Sequence, residues 1–445
     1  MRISQTGWIA GGMGLLFSLL IGDGPWSALG LGLVLLVVFD FLYKVGRTFP
    51  LLELIALIAV LQLILGPYFS YRLPVSYFRY VMYIPEDSYM QIAVWAHSLF
   101  IVGMMLVKQP LDLSVLRSKI EQFTARHPLV SIHLMAGGVG AVLLQPFAPA
   151  ALGFVFYLAI NLVYVGGILY YFSVGKRYRL GVYLATLGFA LIQASASGVF
   201  HDFLLWTVLG LALIAINIKI SLLTKTSVLA IGVLLLMALQ SVKTDYRAAL
   251  AAQRLSAGDR ISLLVNYISG ALTNMGDNFT PKKLSGLNVR LNQGWITSAI
   301  MQNVPRNVPF AGGRTILESL EAAFLPRILF PNKKQAGGRE NYRLYTGIPI
   351  EDNTSMGIGL LGEAYVNFGW GAGLFLLVWG WLLAKILASL AQLSFRYNVL
   401  LFFMIPVIFL QVIKAETEFY VVLNHMIKAF MFTAFIYVVW FARYK

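Results

Sequence analysis

A chain of 445 residues that is 59% hydrophobic and only 12% charged, with a mean hydropathy of +0.76, lies outside the range of soluble globular domains and reads as a polytopic membrane protein. Its formal charge of +15 is better explained by the positive-inside bias of membrane proteins than by a nucleic-acid partner. The absence of cysteine excludes a disulfide framework, a thiolate metal site and a cysteine nucleophile.

Crossing a bilayer as helix takes roughly 20 apolar residues. On that criterion the sequence predicts about twelve transmembrane helices, near 7–21, 26–43, 51–69, 90–107, 129–147, 150–172, 180–195, 201–218, 226–242, 358–391, 396–413 and 419–441. The expected architecture is all-α. An N-terminal bundle of about nine helices occupies 1–242, one long extracytoplasmic loop with short interfacial helices occupies 243–357, and about three helices occupy 358–445. The opening run, MRISQTGWIAGGMGLLFSLLIGDGP, has one Arg before an apolar stretch, as a signal peptide does. A second apolar run follows at once, so it is read as an uncleaved first span. GDGP is a tight turn between two helices. Gly137, Gly138 and Gly140 read as sites of close helix packing.

Strict alternation from a cytoplasmic N-terminus puts the basic groups inside. Arg2, Lys44 and Arg47, KQPLDLSVLRSKIEQFTARHP, GKRYR at 175–179, Lys219 and Lys225, Arg396, and Arg443 with Lys445 all fall there. The short loops left outside carry little positive excess, so both termini are expected in the cytoplasm. Lys243 to Gly357 is then outside and holds 14 Lys or Arg against 8 Asp or Glu. Long loops translocate largely regardless of charge, so this charge needs another reason, and loops of this length are usually functional or independently folded. Within it, TILESLEAAFLPRILFP (315–331) predicts a short amphipathic helix at the membrane surface, stopped by Pro326 and Pro331.

The cations of that loop, Arg290, Arg306, Arg314, Arg327, Lys333, Lys334, Arg339 and Arg343, admit two readings. One is a solvated basic face leaning on anionic headgroups. The other is a pocket for a pyrophosphate-linked substrate, because guanidinium makes forked hydrogen bonds to phosphate oxygens. No Walker A loop, dinucleotide fingerprint or HExxH occurs, and the five histidines show no ligand spacing, so neither a cofactor nor a metal is expected. Near the outer ends of the spans, Arg72, Arg79, His201, Asp202, Glu416 and Glu418 either line a cavity or snorkel to the interface.

The run that re-enters the membrane after Met356 carries Glu363, Tyr365 and Asn367 at its mouth. Polar groups there are costly unless they face a cavity or a partner. On a helix, Glu363 and Asn367 share a face and Tyr365 points away; on an extended segment all three line one side.

NVRLNQGWITSAIMQNVPRNVPFAGGRTILESLEAAFLPRILFPNKK, followed by SMGIGLLGEAYVNFGWGAGLF, resembles the O-antigen polymerase family, the Wzy-type oligosaccharide repeat-unit polymerases. Members commonly carry an Arg before a helix, a vPf.gG.ty stretch, an lPR..fP.K segment and a closing gEaYlNFG..G, and all four pieces occur in order over roughly 288–373. Arg327 and Gly338 also fit a family spacing of Arg and Gly with ten residues between. The resemblance implies a multispan lipid-carrier glycosyltransferase (GT-C-like) fold in the bacterial inner membrane. It implies a metal-independent glycosyltransferase that moves a growing glycan from undecaprenyl pyrophosphate onto a new lipid-linked repeat at the periplasmic face. The product would be O-antigen of lipopolysaccharide, or exopolysaccharide. The implied partners are undecaprenyl-pyrophosphate-linked glycans, membrane lipids, and the flippase and chain-length regulator of the same pathway, with no nucleic acid.

Under that reading Arg290, Arg314 and Arg327 contact the pyrophosphate, with Lys333 and Arg343 behind them. Tyr365 and Asn367 face substrate. Glu363 is either an acid/base or orienting carboxylate, or half of an Arg–Glu clamp tying the loop to the bundle, with Asp277 and Glu351 in reserve. The rival readings are an O-antigen ligase, which takes the same donor to a lipid A-core acceptor, and a flippase or transporter. The latter would show two similar six-helix halves with broken helices at midplane; the sequence shows no such halves, and the long asymmetric outer loop argues against it.

Overall fold

A computed structural model describes the chain except residues 76–77, 110–111, 174–176, 198–199, 219, 253–255, 274–279, 325–337, 353 and 445. Asp277, Arg327 and Lys333 lie outside the described residues. Regular structure among the described residues is helical, apart from one isolated bridge between Val45 and Thr48.

The first half contains α1 (Gln5–Leu20), α2 (Pro25–Lys44), α3 (Leu51–Ser70), α4 (Glu86–Met105), α5 (Leu113–Arg126), α6 (Val130–Leu144), α7 (Gly153–Phe172), α8 (Arg179–Ser197) and α9 (His201–Ile214). Then come α10 (Leu222–Ala252), α11 (Ala257–Thr273), α12 (Pro281–Leu291), α13 (Gly294–Asn303), α14 (Arg314–Phe324) and α15 (Arg339–Thr346). The chain closes with α16 (Gly359–Phe368), α17 (Ala372–Arg396), α18 (Leu400–Phe409) and α19 (Phe419–Val439).

Nine helices among the described residues are long and apolar enough to cross a membrane: α2, α3, α4, α6 with its extension to Phe147, α7, α8, α10, α16 continued by α17, and α19 continued to Arg443. The chain is therefore a multi-pass membrane protein. All twelve expected runs are helical, but α1, α9 and α18 have only 16, 14 and 10 residues, short of the length a span needs.

Two helices extend the sequence reading. The loop expected from Lys243 begins inside α10, which continues to Ala252, because hydropathy falls at Lys243 while KTDYRAALAA still favours helix and holds neither Gly nor Pro. The segment 108–128, expected as a loop, contains α5, whose N-cap Asp112 accepts from the Ser114 amide at 2.8 Å and whose Leu116 and Ile120 are buried. Of the amphipathic helix expected over 315–331, Arg314–Phe324 is helical and packs along α19, with Thr315, Ser319 and Ala322 buried and Leu317 and Phe324 exposed, while residues 325–331 lie outside the described residues.

Glycine permits a close helix contact between α4 and α17. A β-carbon at Gly103 would stand 2.0 Å from the Leu377 carbonyl, and one at Gly380 would stand 2.3 Å from the Phe100 carbonyl. Of the three glycines expected to mediate packing, Gly138 does so against Val163, whereas Gly137 and Gly140 face open space.

Polar contacts knit the helix ends into two sets. In one, Lys225 donates to the Leu42 carbonyl at 2.9 Å, Asn398 to the Phe441 carbonyl at 3.1 Å, and Lys119 to the Phe395 carbonyl. In the other, Arg72 bonds Glu86 at 2.8 Å, Lys414 bonds Asp202 at 2.7 Å, and the Tyr83 amide donates to Ser298 at 3.1 Å. Each contact joins segments that alternation assigns to the same side. The 243–357 region has its own small apolar core of Trp295, Ile296, Ile300, Val304, Tyr342 and Tyr345, closed from below by Ile358 and Val366.

Candidate functional site at the α16–α19 junction

The long loop is moored first on α3. Its Leu61–Leu65 turn is π-helical, a geometry that releases backbone carbonyls from the regular ladder. The Gln62 carbonyl accepts the Gln293 amide at 3.0 Å. Asn288 donates to the Gly66 carbonyl at 2.9 Å and to Ser70 at 2.8 Å, and Asn292 donates to Ser70 at 2.7 Å. This docking leaves Arg290, in the last turn of α12, exposed at the surface.

The second mooring is Asn367 of α16, and it fixes the start of α14. Its Oδ1 accepts the Gly313 amide at 3.0 Å, while its Nδ2 donates to Thr315 Oγ1 at 2.7 Å and to the Glu363 carbonyl at 2.8 Å. The Ala311 amide donates to the Val366 carbonyl at 2.9 Å. Gly312 and Gly313 turn the chain with φ of 58° and 95°, a conformation residues with a β-carbon seldom adopt. Arg314 leaves that turn with a side chain 63% exposed, near Glu318 at 3.6 Å. Its Nη2 donates to the buried Tyr345 hydroxyl at 3.2 Å.

Of the two geometries open for the mouth of the apolar run, the helix is the one observed. Glu363 and Asn367 lie one turn apart and both are buried, at 0% and 3% exposure. Tyr365 points elsewhere, with its ring on Phe310 at 5.9 Å. The Glu363 carboxylate reaches the connection between α18 and α19, where Oε2 accepts the Phe419 amide at 2.9 Å.

That connection, residues 414–418, is a hub. Lys414 bonds Asp202 at 2.7 Å, and the Tyr157 hydroxyl donates to the same carboxylate at 3.2 Å. The Ala415 carbonyl accepts the Leu360 amide at 3.2 Å, Glu416 pairs with His201 at 3.3 Å, and Glu418 accepts from Asn341 of α15. Four of the six outer-face groups singled out from the sequence meet here: His201, Asp202, Glu416 and Glu418. Arg72 instead closes a separate network, pairing with Asp23 and Glu86 and lying over the Tyr68 ring at 3.7 Å. Arg79 lies over Phe78 at 5.5 Å.

Arg343 rides on α15 and is engaged within the chain. Its Nη2 contacts the Ile350 carbonyl and bonds Asp352 Oδ1 at 3.1 Å. Arg339 contacts the Asp352 carbonyl and stands 3.5 Å from Oδ1. Glu351, the reserve carboxylate, is exposed beside it.

Arg314 thus bonds Tyr345 of the helix that also carries Arg343, while Arg290 is presented from the α3 mooring. The sequence reading did not identify Tyr345, Thr315, Asn341, Lys414 or Asp352. No group of three or more His, Asp or Glu among the described residues is placed to hold a metal ion. No protein-family profile, curated protein or solved structure matches the chain.

Proposed function

We propose that the chain is a polymerase of undecaprenyl-pyrophosphate-linked oligosaccharide repeats, a multispan glycosyltransferase of the GT-C-like class. In this reading it sits in the bacterial inner membrane with both termini cytoplasmic, and it works at the periplasmic ends of α14–α16. The observation that carries the reading is Arg314. An exposed guanidinium stands on a turn fixed by buried Asn367 and is oriented by buried Tyr345. A cation held in place before any ligand arrives is what stabilisation of a developing anion requires, because no reorganisation is then needed during reaction.

The acceptor hydroxyl oxygen forms a bond to the anomeric carbon of the growing glycan. The bond from that carbon to the diphosphate oxygen breaks, its electron pair leaves with undecaprenyl pyrophosphate, and the hydroxyl proton passes to the released diphosphate. Arg314 takes the charge gathering on the leaving group, with Arg290, Arg327 and Lys333 as further phosphate contacts. Tyr365 and Asn367 shape the floor of the site. Glu363, buried and committed to the Phe419 amide, is assigned as a positioning residue that holds α16 against α19. The flippase and chain-length regulator of the same pathway are the expected partners.

The test is reconstitution of the purified chain in nanodiscs with a synthetic undecaprenyl-pyrophosphate-linked repeat. The expected result is glycan longer than one repeat together with free undecaprenyl pyrophosphate. Intact substrate after prolonged incubation with well-folded protein would remove the proposal.

A further inference from the structure

We infer that Arg339 and Arg343 form a phosphoryl-binding pair for which Asp352 is a built-in competitor. This deepens the proposed function, since it concerns access to the same basic surface, but its binding test stands without turnover.

The two arginines are one helical turn apart on α15 and so share a face. The opposite face is locked. Tyr342 and Tyr345 are buried in the loop core, and Asn341 is bonded to Glu418 of the hub. The guanidiniums are thus carried on a rigid support. After α15 the chain reverses at Gly347, with φ of 70°, and returns through GIPIED so that residues 350–352 cross both arginines. Each receives a backbone carbonyl and a share of one carboxylate, Asp352 Oδ1 standing 3.1 Å from Arg343 and 3.5 Å from Arg339.

Among the described residues, the two guanidiniums meet one carboxylate within ion-pair distance, that of Asp352, whose side chain is 86% exposed, and exposed ion pairs of this kind hold weakly. A phosphoryl group brings more negative charge and more acceptor oxygens than a carboxylate, and arginine forks match it well. It displaces Asp352 and leaves the support in place. Two sources share this chemistry: the diphosphate of a carrier-linked substrate and the phosphate of an anionic lipid headgroup.

The experiment uses the full chain in nanodiscs of zwitterionic lipid, titrated with inorganic pyrophosphate, and a second set of discs containing phosphatidylglycerol. Asp352→Asn is expected to tighten the pyrophosphate Kd by roughly two- to fivefold. Arg339→Gln and Arg343→Gln are expected to weaken it by about tenfold or more, with fold checked by gel filtration and melting. If phosphatidylglycerol abolishes the tightening, the headgroup is the competing occupant and the pair is still a phosphoryl site. An unchanged Kd in Asp352→Asn overturns the inference, as does unchanged binding in both arginine variants. A chain that makes no polymer yet shows these shifts would sink the polymerase reading and leave this one standing.

Discussion

The Glu363 carboxylate accepts the backbone amide of Phe419 at 2.9 Å, joining the middle of α16 to the first residue of α19. A carboxylate at that place satisfies an amide that the helix itself leaves without a partner and complements the positive end of the helix dipole. It works as an N-cap supplied from another element. Glu363→Gln keeps an acceptor oxygen and is expected to lower stability by about 0.5–1 kcal/mol. Glu363→Ala leaves the amide buried and bare and is expected to cost about 1–3 kcal/mol. Thermal melts in detergent read both. Should Glu363→Gln melt like the parent yet lose all polymer synthesis, the carboxylate would be chemical rather than positional.

Topology has a direct test, because the chain contains no cysteine. Asn288 is a poor site for a label, being buried and bonded to Gly66 and Ser70. Asn307 and Gln122 are exposed. In cells with a permeabilised outer membrane, an impermeant maleimide is expected to modify Asn307→Cys and spare Gln122→Cys. The reverse pattern would invert the orientation and place the arginine surface in the cytoplasm.

The helix carrying Glu363 and Asn367 was legible in the sequence as a spacing of four residues, with the extended alternative excluded only by structure. LLGEAYVNF lacks proline, but its Gly, Tyr, Val, Asn and Phe are weak helix formers, so propensity left both geometries open. The partner of Glu363 was not legible, because a backbone amide 56 residues away has no sequence signature. His201, Asp202, Glu416 and Glu418 stood out as charges near span ends, yet their convergence depends on how α9 and the 414–418 connection pack. Arg343 read as a free phosphate contact, and Asp352, only nine residues on, looked like one more loop carboxylate. The apolar span that precedes the long loop ends at Val242 as expected, and the helix runs on to Ala252 because hydropathy reports where a helix leaves lipid and helix propensity reports where it ends.

The α1–α2 turn is expected to respond to pH through Asp23. Burial pushes the Asp23 carboxyl up, but hydrogen bonds from Ser18, Tyr68 and Arg72 bring it below its ordinary value of 3.8. A depressed carboxyl stabilises the fold fully above its unfolded value and loses that contribution as pH falls through the lower folded value. The parent is therefore expected to lose melting temperature on acidification from about pH 5 to about pH 3. Asp23→Asn should start lower at neutral pH and fall less over that range. Parallel curves would show that the Arg72 network gives no measurable stability.

The last prediction concerns Arg314 and Tyr345 together. Arg314→Lys keeps the charge but loses the planar fork that can grip two phosphate oxygens and the Tyr345 hydroxyl in one plane. Loss of one preorganised electrostatic contact to a leaving group is expected to reduce turnover by about 100- to 1000-fold. Tyr345→Phe keeps the ring packed among Trp295, Ile300 and Tyr342 and removes only the hydroxyl that orients the guanidinium at 3.2 Å. Its expected effect is smaller, about tenfold, and it should fall on turnover with little change in apparent substrate affinity. If the tyrosine acts only through the arginine, adding Tyr345→Phe to Arg314→Lys costs nothing further, a coupling that a double-mutant cycle isolates. Polymer length and rate in the reconstituted system give the four values. Fully additive losses would mean that Tyr345 serves the fold alone, and near-parental polymer from Arg314→Lys would remove the arginine from the site.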